Sequence, residues 1–289
     1  MKTRASLFAA FAAPALSFLM TACAADVSDN GARANQGDGP HAMFIPDAKG
    51  KADKASSYGD PHLSYRGGAV IPNVEVWTVF WSAKVPNQKD LNDFYSTITS
   101  SPYFDWLHEY DTPSQKIGQG SLAGSIVVTG APTSKNLDDS QIQAQLGKLI
   151  DQGKLPPPDE NKLYMVHFPA GVGITMEGMQ SCQQFCAYHG TFIKNGVKAY
   201  YGVMPDMSGG CAGCGGGNNK LQNTTIVSSH ELIEAVTDPA VGLQDEPQLG
   251  WYDDQRGEVG DICEGQNSLV SGYAVQNEWS NGQGACIAR

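Results

Sequence analysis

The chain has 289 residues, with 30 Asp and Glu against 19 Lys and Arg, for a net charge of −11. An acidic balance of this size excludes nucleic acid and anionic membrane surfaces as electrostatic partners. Beyond the N-terminus no apolar run is long enough to cross a bilayer.

The first elements read as a targeting segment. Lys2 and Arg4 precede a mostly apolar stretch from Ala5 to Met20, the pattern of a signal peptide over residues 1–22. Met20-Thr21-Ala22-Cys23 has the form of a bacterial lipobox, which makes Cys23 a lipidation site. Ala22-Cys23-Ala24 also fits plain A-x-A cleavage. Either way the mature chain is exported, and a lipid on Cys23 would be its one contact with membrane. Residues 23–66 are acidic and polar, with few large apolar side chains, and read as a flexible tether. Residues 67–289 have the length of one globular domain.

Within that domain, Asn73 to Trp81 is β-branched and aromatic and reads as a strand. Gln88 to Thr99 places Leu91, Phe94, Tyr95 and Ile98 at helical spacing, and Pro102 opens a second helix to about Tyr110. Ser125 to Thr129 is a strand. Asp138 caps a helix to about Asp151, with Gln141 placed for a capping box. Leu163 to Phe168 and Ala199 to Met204 are further strands, and residues 208–219 a Gly/Cys loop. Thr224 to Thr237 is a helix stopped by Pro239, and Leu249 to Arg289 reads as short strands and turns. Strands and helices mix without strict alternation, which indicates an α+β fold.

Apart from Cys23 there are six cysteines: Cys182, Cys186, Cys211, Cys214, Cys263 and Cys286. An even number in an exported chain reads as three disulfides. Local pairs 182–186 and 211–214 are possible but tight. Cross-pairing of those two regions, with 263–286 as the third bridge, is at least as favourable. Cys211-Ala212-Gly213-Cys214 also has the spacing of a redox CxxC, although it lies among glycines and not at a helix start.

The most informative motif is His230-Glu231-Leu232-Ile233-Glu234, a His-Glu-x-x-Glu on a largely apolar helix. Positions i and i+4 share a helix face, so His230 and Glu234 point at one place. Glu231 sits beside them, where the HExxH metallopeptidases carry their general base. Two glutamates in an apolar helix require a cation or close pairing, because a buried unpaired carboxylate costs several kcal/mol. A third ligand is expected from Glu258 or Asp261 in Gly257-Glu258-Val259-Gly260-Asp261-Ile262-Cys263-Glu264. One His with two acids suits Zn²⁺, and its hardness leaves Mn²⁺ or Ca²⁺ open. Asp238 reads as a helix-end residue, and Asp253 and Asp254 as turn formers. His189, three residues after Cys186, reads as a structural histidine with a reach to the cleft as the alternative; His167 reads as core; and His41, His62 and His108 belong to no constellation. Trp81, Trp251 and Tyr252 read as core or cleft wall.

The run from Ser229 to Pro239, Gly250-Trp251-Tyr252 and Glu258 to Glu264, with Val74 to Trp81, Tyr164 to Pro169 and Cys182…Cys186…His189, resembles the EXORDIUM/phosphate-induced protein 1 family of secreted proteins and their bacterial relatives. The resemblance covers roughly residues 70–289. It implies a zincin-like mixed sheet with an active-site helix, with His230, Glu231 and Glu234 on that helix and Glu258 and Asp261 on the following loop. The lipobox and the acidic arm lie outside the family's plant pattern, so no cell-wall role carries over. The expectation is an exported metal-dependent hydrolase: His230, Glu234 and Asp261 or Glu258 would hold zinc, Glu231 would act as base, and a peptide or protein would be the substrate. A non-catalytic envelope protein with a structural metal, binding polysaccharide or another protein, is the alternative. A thiol redox protein using Cys211 and Cys214 is the third reading.

Overall fold

The computed structural model describes residues 40–45, 59–132, 134–243 and 248–289. The expected signal peptide and Cys23 lie outside the described residues. In chain order the strands are β1 (His41–Phe44), β2 (Ser64–Tyr65), β3 (Glu75–Phe80), β4 (Ser121–Val127), β5 (Asn136–Asp138), β6 (Lys162–His167), β7 (Gly173–Met176), β8 (Met179–Gln180), β9 (Phe185–Lys194), β10 (Val197–Met204), β11 (Trp251–Tyr252), β12 (Asn267–Val270), β13 (Tyr273–Gln276), β14 (Glu278–Ser280) and β15 (Ala285–Ile287). The helices are α1 (Gln88–Ile98), α2 (Pro102–Asp105), α3 (Asp139–Asp151) and α4 (Lys220–Thr237).

Six strands form one mixed sheet in the order β1-β9-β10-β6-β3-β4. The run from β10 through β6 and β3 to β4 is parallel, whereas β9 is antiparallel to both β10 and β1. This is a mixed α+β fold, as the mixture of elements suggested.

Alternation along each strand splits the core between two faces. Leu163 and Met165 of β6 join Phe94, Tyr95, Val227, Leu232, Ile233 and Val236 on the face covered by α1 and α4. Tyr164 and Val166 join Ile142, Leu146 and Leu149 of α3 on the other. A sheet covered on both faces has strands without polar alternation. That is why β9, buried from Phe185 to Phe192, carries no period-two signal in its sequence.

α3 begins as expected, with Asp138 and Gln141 forming a capping box. α4 starts four residues earlier than its apolar pattern suggests, because Asn219 caps it by accepting from Gln222 N at 3.0 Å. The helix ends where Pro239 can no longer donate, and Asp238 N–H closes the last turn on Glu234 O at 2.7 Å. On its far side it is covered by β13: Thr225 Oγ1 donates to Ala274 O at 2.7 Å, and Gln276 N donates to Ser229 Oγ at 2.9 Å. Burial of α4 from Asn223 to Thr237 follows from this two-sided cover.

Three disulfides cross-pair the cysteines: Cys182–Cys211, Cys186–Cys214 and Cys263–Cys286. Sequence separations of 29, 28 and 23 residues make each worth about 3–4 kcal/mol of loop-closure entropy. The first two tie the start of β9 to the loop ahead of α4, and the third ties the acidic loop to β15. Cys211 and Cys214 lie in different bridges, which removes the CxxC redox reading. Three disulfides suit an oxidising compartment. Among the described residues no helix is long and apolar enough to cross a membrane.

The expected tether over 23–66 is corrected in its described parts. β1 pairs with β9, β2 pairs with β11, and Leu63 is fully buried. Ala42, Met43 and Leu63 are too few to change the composition of a polar stretch. Each nevertheless finds an apolar seat on the finished domain, where a large apolar side chain contributes about 1.5–3 kcal/mol.

Candidate metal centre

Four pieces of the chain meet beside α4. The helix contributes His230, Glu231 and Glu234, and Asp238 at its end. β9 contributes His189, whose parity places it on the α4 face with Ala187. The loop after β11 contributes Glu258 and Asp261, and β1 contributes His41. His41, His189, His230, Glu231, Glu234, Asp238 and Glu258 are all buried, and Asp261 is partly exposed.

Potential ligand atoms fall into three overlapping groups, the atoms of each lying within 4.8 Å of one another: His230, Glu234 and Asp261; His189, Glu231 and Glu234; and His41, His189 and Glu258. In the first, His230 Nε2 lies 3.0 Å from Glu234 Oε2 without hydrogen-bond alignment. The backbone N–H of Asp261 donates to Glu234 Oε1 at 3.2 Å. In the second, His189 Nδ1 is 3.2 Å from Glu231 Oε2 and 3.8 Å from Glu234 Oε2. In the third, His189 Nε2 is 3.6 Å from Glu258 Oε1, and His41 Nδ1 is in close contact with Glu258 Oε2. His189 Nε2 also lies 3.2 Å from the carbonyl of Asp238.

Two glycines let the acidic loop approach. A Cβ on Gly260 would stand 2.6 Å from His230 Nδ1 and 2.8 Å from Glu234 Oε1. Gly257 has φ of +86°, and a Cβ there would stand 2.1 Å from Asp261 Oδ2. The Cys263–Cys286 bridge then holds this loop from its far end.

The electrostatics are one-sided. No Lys or Arg is buried among the described residues. Burial first, and then Glu234, Asp238 and Asp261, push the Glu258 carboxyl well up. Burial and Glu234 do the same to Asp261. Asp238 rises to about 7, chiefly through burial. Glu231 rises through burial, against hydrogen bonding from His189. Glu234 is the exception: burial raises it, but His230 and His189 outweigh burial and hold it down. Burial lowers His230, yet Glu234, Glu231 and Glu278 overcome that and leave it raised. His41 falls to about 3 through burial and the neighbouring His189, so its ring is neutral.

Among the described residues, six buried polar atoms in this region have no hydrogen-bond partner: His41 Nε2, His230 Nε2, Glu231 Oε1, Asp238 Oδ2, Glu258 Oε1 and Gln276 Oε1. A buried orphan costs about 1–3 kcal/mol, so this many in one place marks a site built around something else. Carboxylate oxygens and imidazole nitrogens are the donors a divalent cation takes. Gln276 lies behind His230, with Nε2 2.8 Å from His230 Nδ1 and donating to Gly260 O at 2.9 Å.

All five residues expected at the site, His230, Glu231, Glu234, Glu258 and Asp261, converge. Asp261 shares a group with His230 and Glu234, whereas Glu258 sits with the other two histidines. His189 takes the weaker of its two readings, as a member of the cluster and not a structural histidine, and His41 is corrected from a residue without a constellation to a member of one group. His189 had a weak signal in its nearness to Cys186, and His41 had none. His167 is a core residue, its Nε2 3.1 Å from Tyr95 OH. Tyr252 borders the site with its ring 5.7 Å from that of His41, and Trp81 packs against Phe168 on the α3 face. No family model, no curated protein and no solved structure matches the chain.

Proposed function

We propose that His230, Glu234 and Asp261 hold one divalent cation, zinc by preference, and that the protein is an exported, zincin-like metal-dependent hydrolase of peptide bonds, released or anchored by lipid at Cys23. The observation that carries the reading is the set of ligand atoms that, among the described residues, have no partner and no buried Lys or Arg in their group. A bound cation would supply Lewis-acid polarisation of a carbonyl. Glu231 is the base in this reading. Its raised pKa leaves it able to accept a proton from an attacking water, and His189, 3.2 Å away, orients it. The resemblance to EXORDIUM-like proteins supports the same assignment on the same residues.

One observation favours a second reading. Every member of the cluster except Asp261 is closed off from solvent, the arrangement of a structural ion rather than a catalytic one. Under that reading the protein is a non-catalytic envelope or extracellular binding protein. Elemental analysis of the purified protein should give about one zinc per chain, absent from His230→Ala. Glu231→Gln then separates the readings. It should keep the zinc and lose on the order of 10²–10⁴-fold in hydrolysis of an unstructured peptide. A Glu231→Gln protein as active as the parent would sink the mechanism, and a parent without turnover would leave the structural reading.

A further inference from the structure

We propose that β1 is an intramolecular occupant of the site, standing where an extended polypeptide would pair with β9, and that His41 seals the cluster until β1 is displaced. This rests on the metal-site reading above and names its substrate class and its control.

Among the described residues β1 is an edge strand of the sheet, paired on one side only. The other five strands form a sheet without it, ending at β9. An uncovered β9 edge would present unpaired N–H and C=O groups, the usual template for an added strand. β1 uses that template over His41↔His189, Ala42↔Tyr188, Met43↔Ala187 and Phe44↔Phe185, and Ile45 N continues it to Gln184 O at 3.1 Å.

The register decides what enters the site. His41 and Met43 face the α4 side, and Met43 joins that core. The His41 ring, 5.9 Å from the ring of His189, is thereby laid on Glu258. Pro40 sits in a notch between two glycines. A Cβ on Gly190 or Gly242 would stand 3.2 Å from Pro40 atoms, so the seat accepts a backbone at close range.

Little else holds the segment. No described disulfide reaches it, and its one side-chain hydrogen bond among the described residues is the His41–Glu258 contact itself. Its Nε2 atom has no partner, so His41 covers the cluster without completing a network. A strand of four residues with one polar anchor is a displaceable cover, kept in place by belonging to the same chain, since covalent linkage acts as a millimolar local concentration. The closed site and the acid–base constellation are then two states of one design: closed with β1 paired, and open to an extended chain without it.

The test uses zinc, the full chain and two variants. Met43→Asp places an unpaired carboxylate in the apolar core and should expel β1, because burying that charge is too costly. His41→Ala keeps the strand and removes the seal, so the measurement stands even where Met43→Asp does not fold. Zinc content is measured first, then the rate of zinc release to a chromophoric chelator. The expected result is about one zinc in all three proteins and release at least tenfold faster in both variants. A synthetic peptide of residues 38–46 should restore slow release in Met43→Asp, and the same peptide with His41→Ala should not. Release within twofold of the parent in both variants, with zinc retained, overturns the proposal and leaves the metal site standing. Absence of zinc from all three overturns the metal-site reading, and the proposal with it.

Discussion

The fold buries acids in two places and treats them in opposite ways. Asp139, at the start of α3, accepts from Tyr188 OH at 2.6 Å, from Tyr201 OH at 2.8 and 2.9 Å, and from Gln143 Nε2 at 2.7 Å. Both of its oxygens are satisfied by neutral donors, and burial raises its pKa only against that resistance. Across the sheet, among the described residues, Glu231, Glu258 and Asp238 each keep an oxygen with no partner, and His41 and His230 each keep a bare nitrogen. A chain able to wrap Asp139 so completely is not short of donors. The second group keeps bare carboxylate oxygens and imidazole nitrogens in three overlapping sets, and the proposed ligand role rests on that difference.

The comparison breaks most sharply at Glu234, which belongs to two of the three ligand groups. Glu234→Gln should abolish zinc binding, read by elemental analysis. Asp261→Asn should weaken zinc on the order of 100-fold, whereas Glu258→Gln, outside that group, should weaken it less than tenfold. Equal losses at 258 and 261 would place the ion between the groups. Next in size is a pH effect confined to the metal-free protein. The fold raises Asp238 from its ordinary 3.8 to about 7, so it favours the protonated form. The contribution is fully present below 3.8 and is lost as pH rises through about 7, amounting to up to roughly 4 kcal/mol at 1.36 kcal/mol per unit. Thermal melts in chelator should therefore show Tm rising as pH falls from 7 toward 4. The zinc-loaded protein should show no such rise, since protons compete with the ion for its ligands.

How much of this could be read from the sequence follows from where each signal lives. The α4 motif was legible because His230 and Glu234 are one helical turn apart, a spacing that geometry fixes. Glu258 and Asp261 were legible as acids near a cysteine, but their split between two groups depends on Gly260 packing against His230, a contact between residues 30 positions apart in the chain. The capping box at Asp138 was plain, and cross-paired disulfides were among the pairings weighed. β9 was missed because both of its faces are buried, which erases alternation, and with it went the strand parity that turns His189 toward α4. β1 was missed for a different reason. Four residues in a polar arm have no intrinsic strand signal, and they form a strand only because the β9 edge exists to receive them. His41 therefore had no local cue, and the tether expected over 23–66 hid it.

The smallest effect sharpens the comparison from its satisfied side. Asp139→Asn replaces one acceptor oxygen by an amide nitrogen. Placed at Oδ1, that nitrogen faces the hydroxyls of Tyr188 and Tyr201; placed at Oδ2, it faces the donating amide of Gln143. Tyr201 OH can donate to whichever oxygen remains, since it reaches Oδ1 at 2.8 Å and Oδ2 at 2.9 Å, but one donor, Tyr188 OH or the Gln143 amide, loses its Asp139 acceptor in either placement. The cost is about 1–3 kcal/mol, a fall of a few degrees in Tm for a domain of this size. The decisive feature is its indifference to metal. Asp139 lies on the α3 face with the sheet between it and α4, so the variant should hold as much zinc as the parent. Its loss in Tm should be the same with zinc and with chelator. A zinc-dependent loss would mean that the two buried acid regions are coupled through the sheet, and that Asp139 belongs to the site after all.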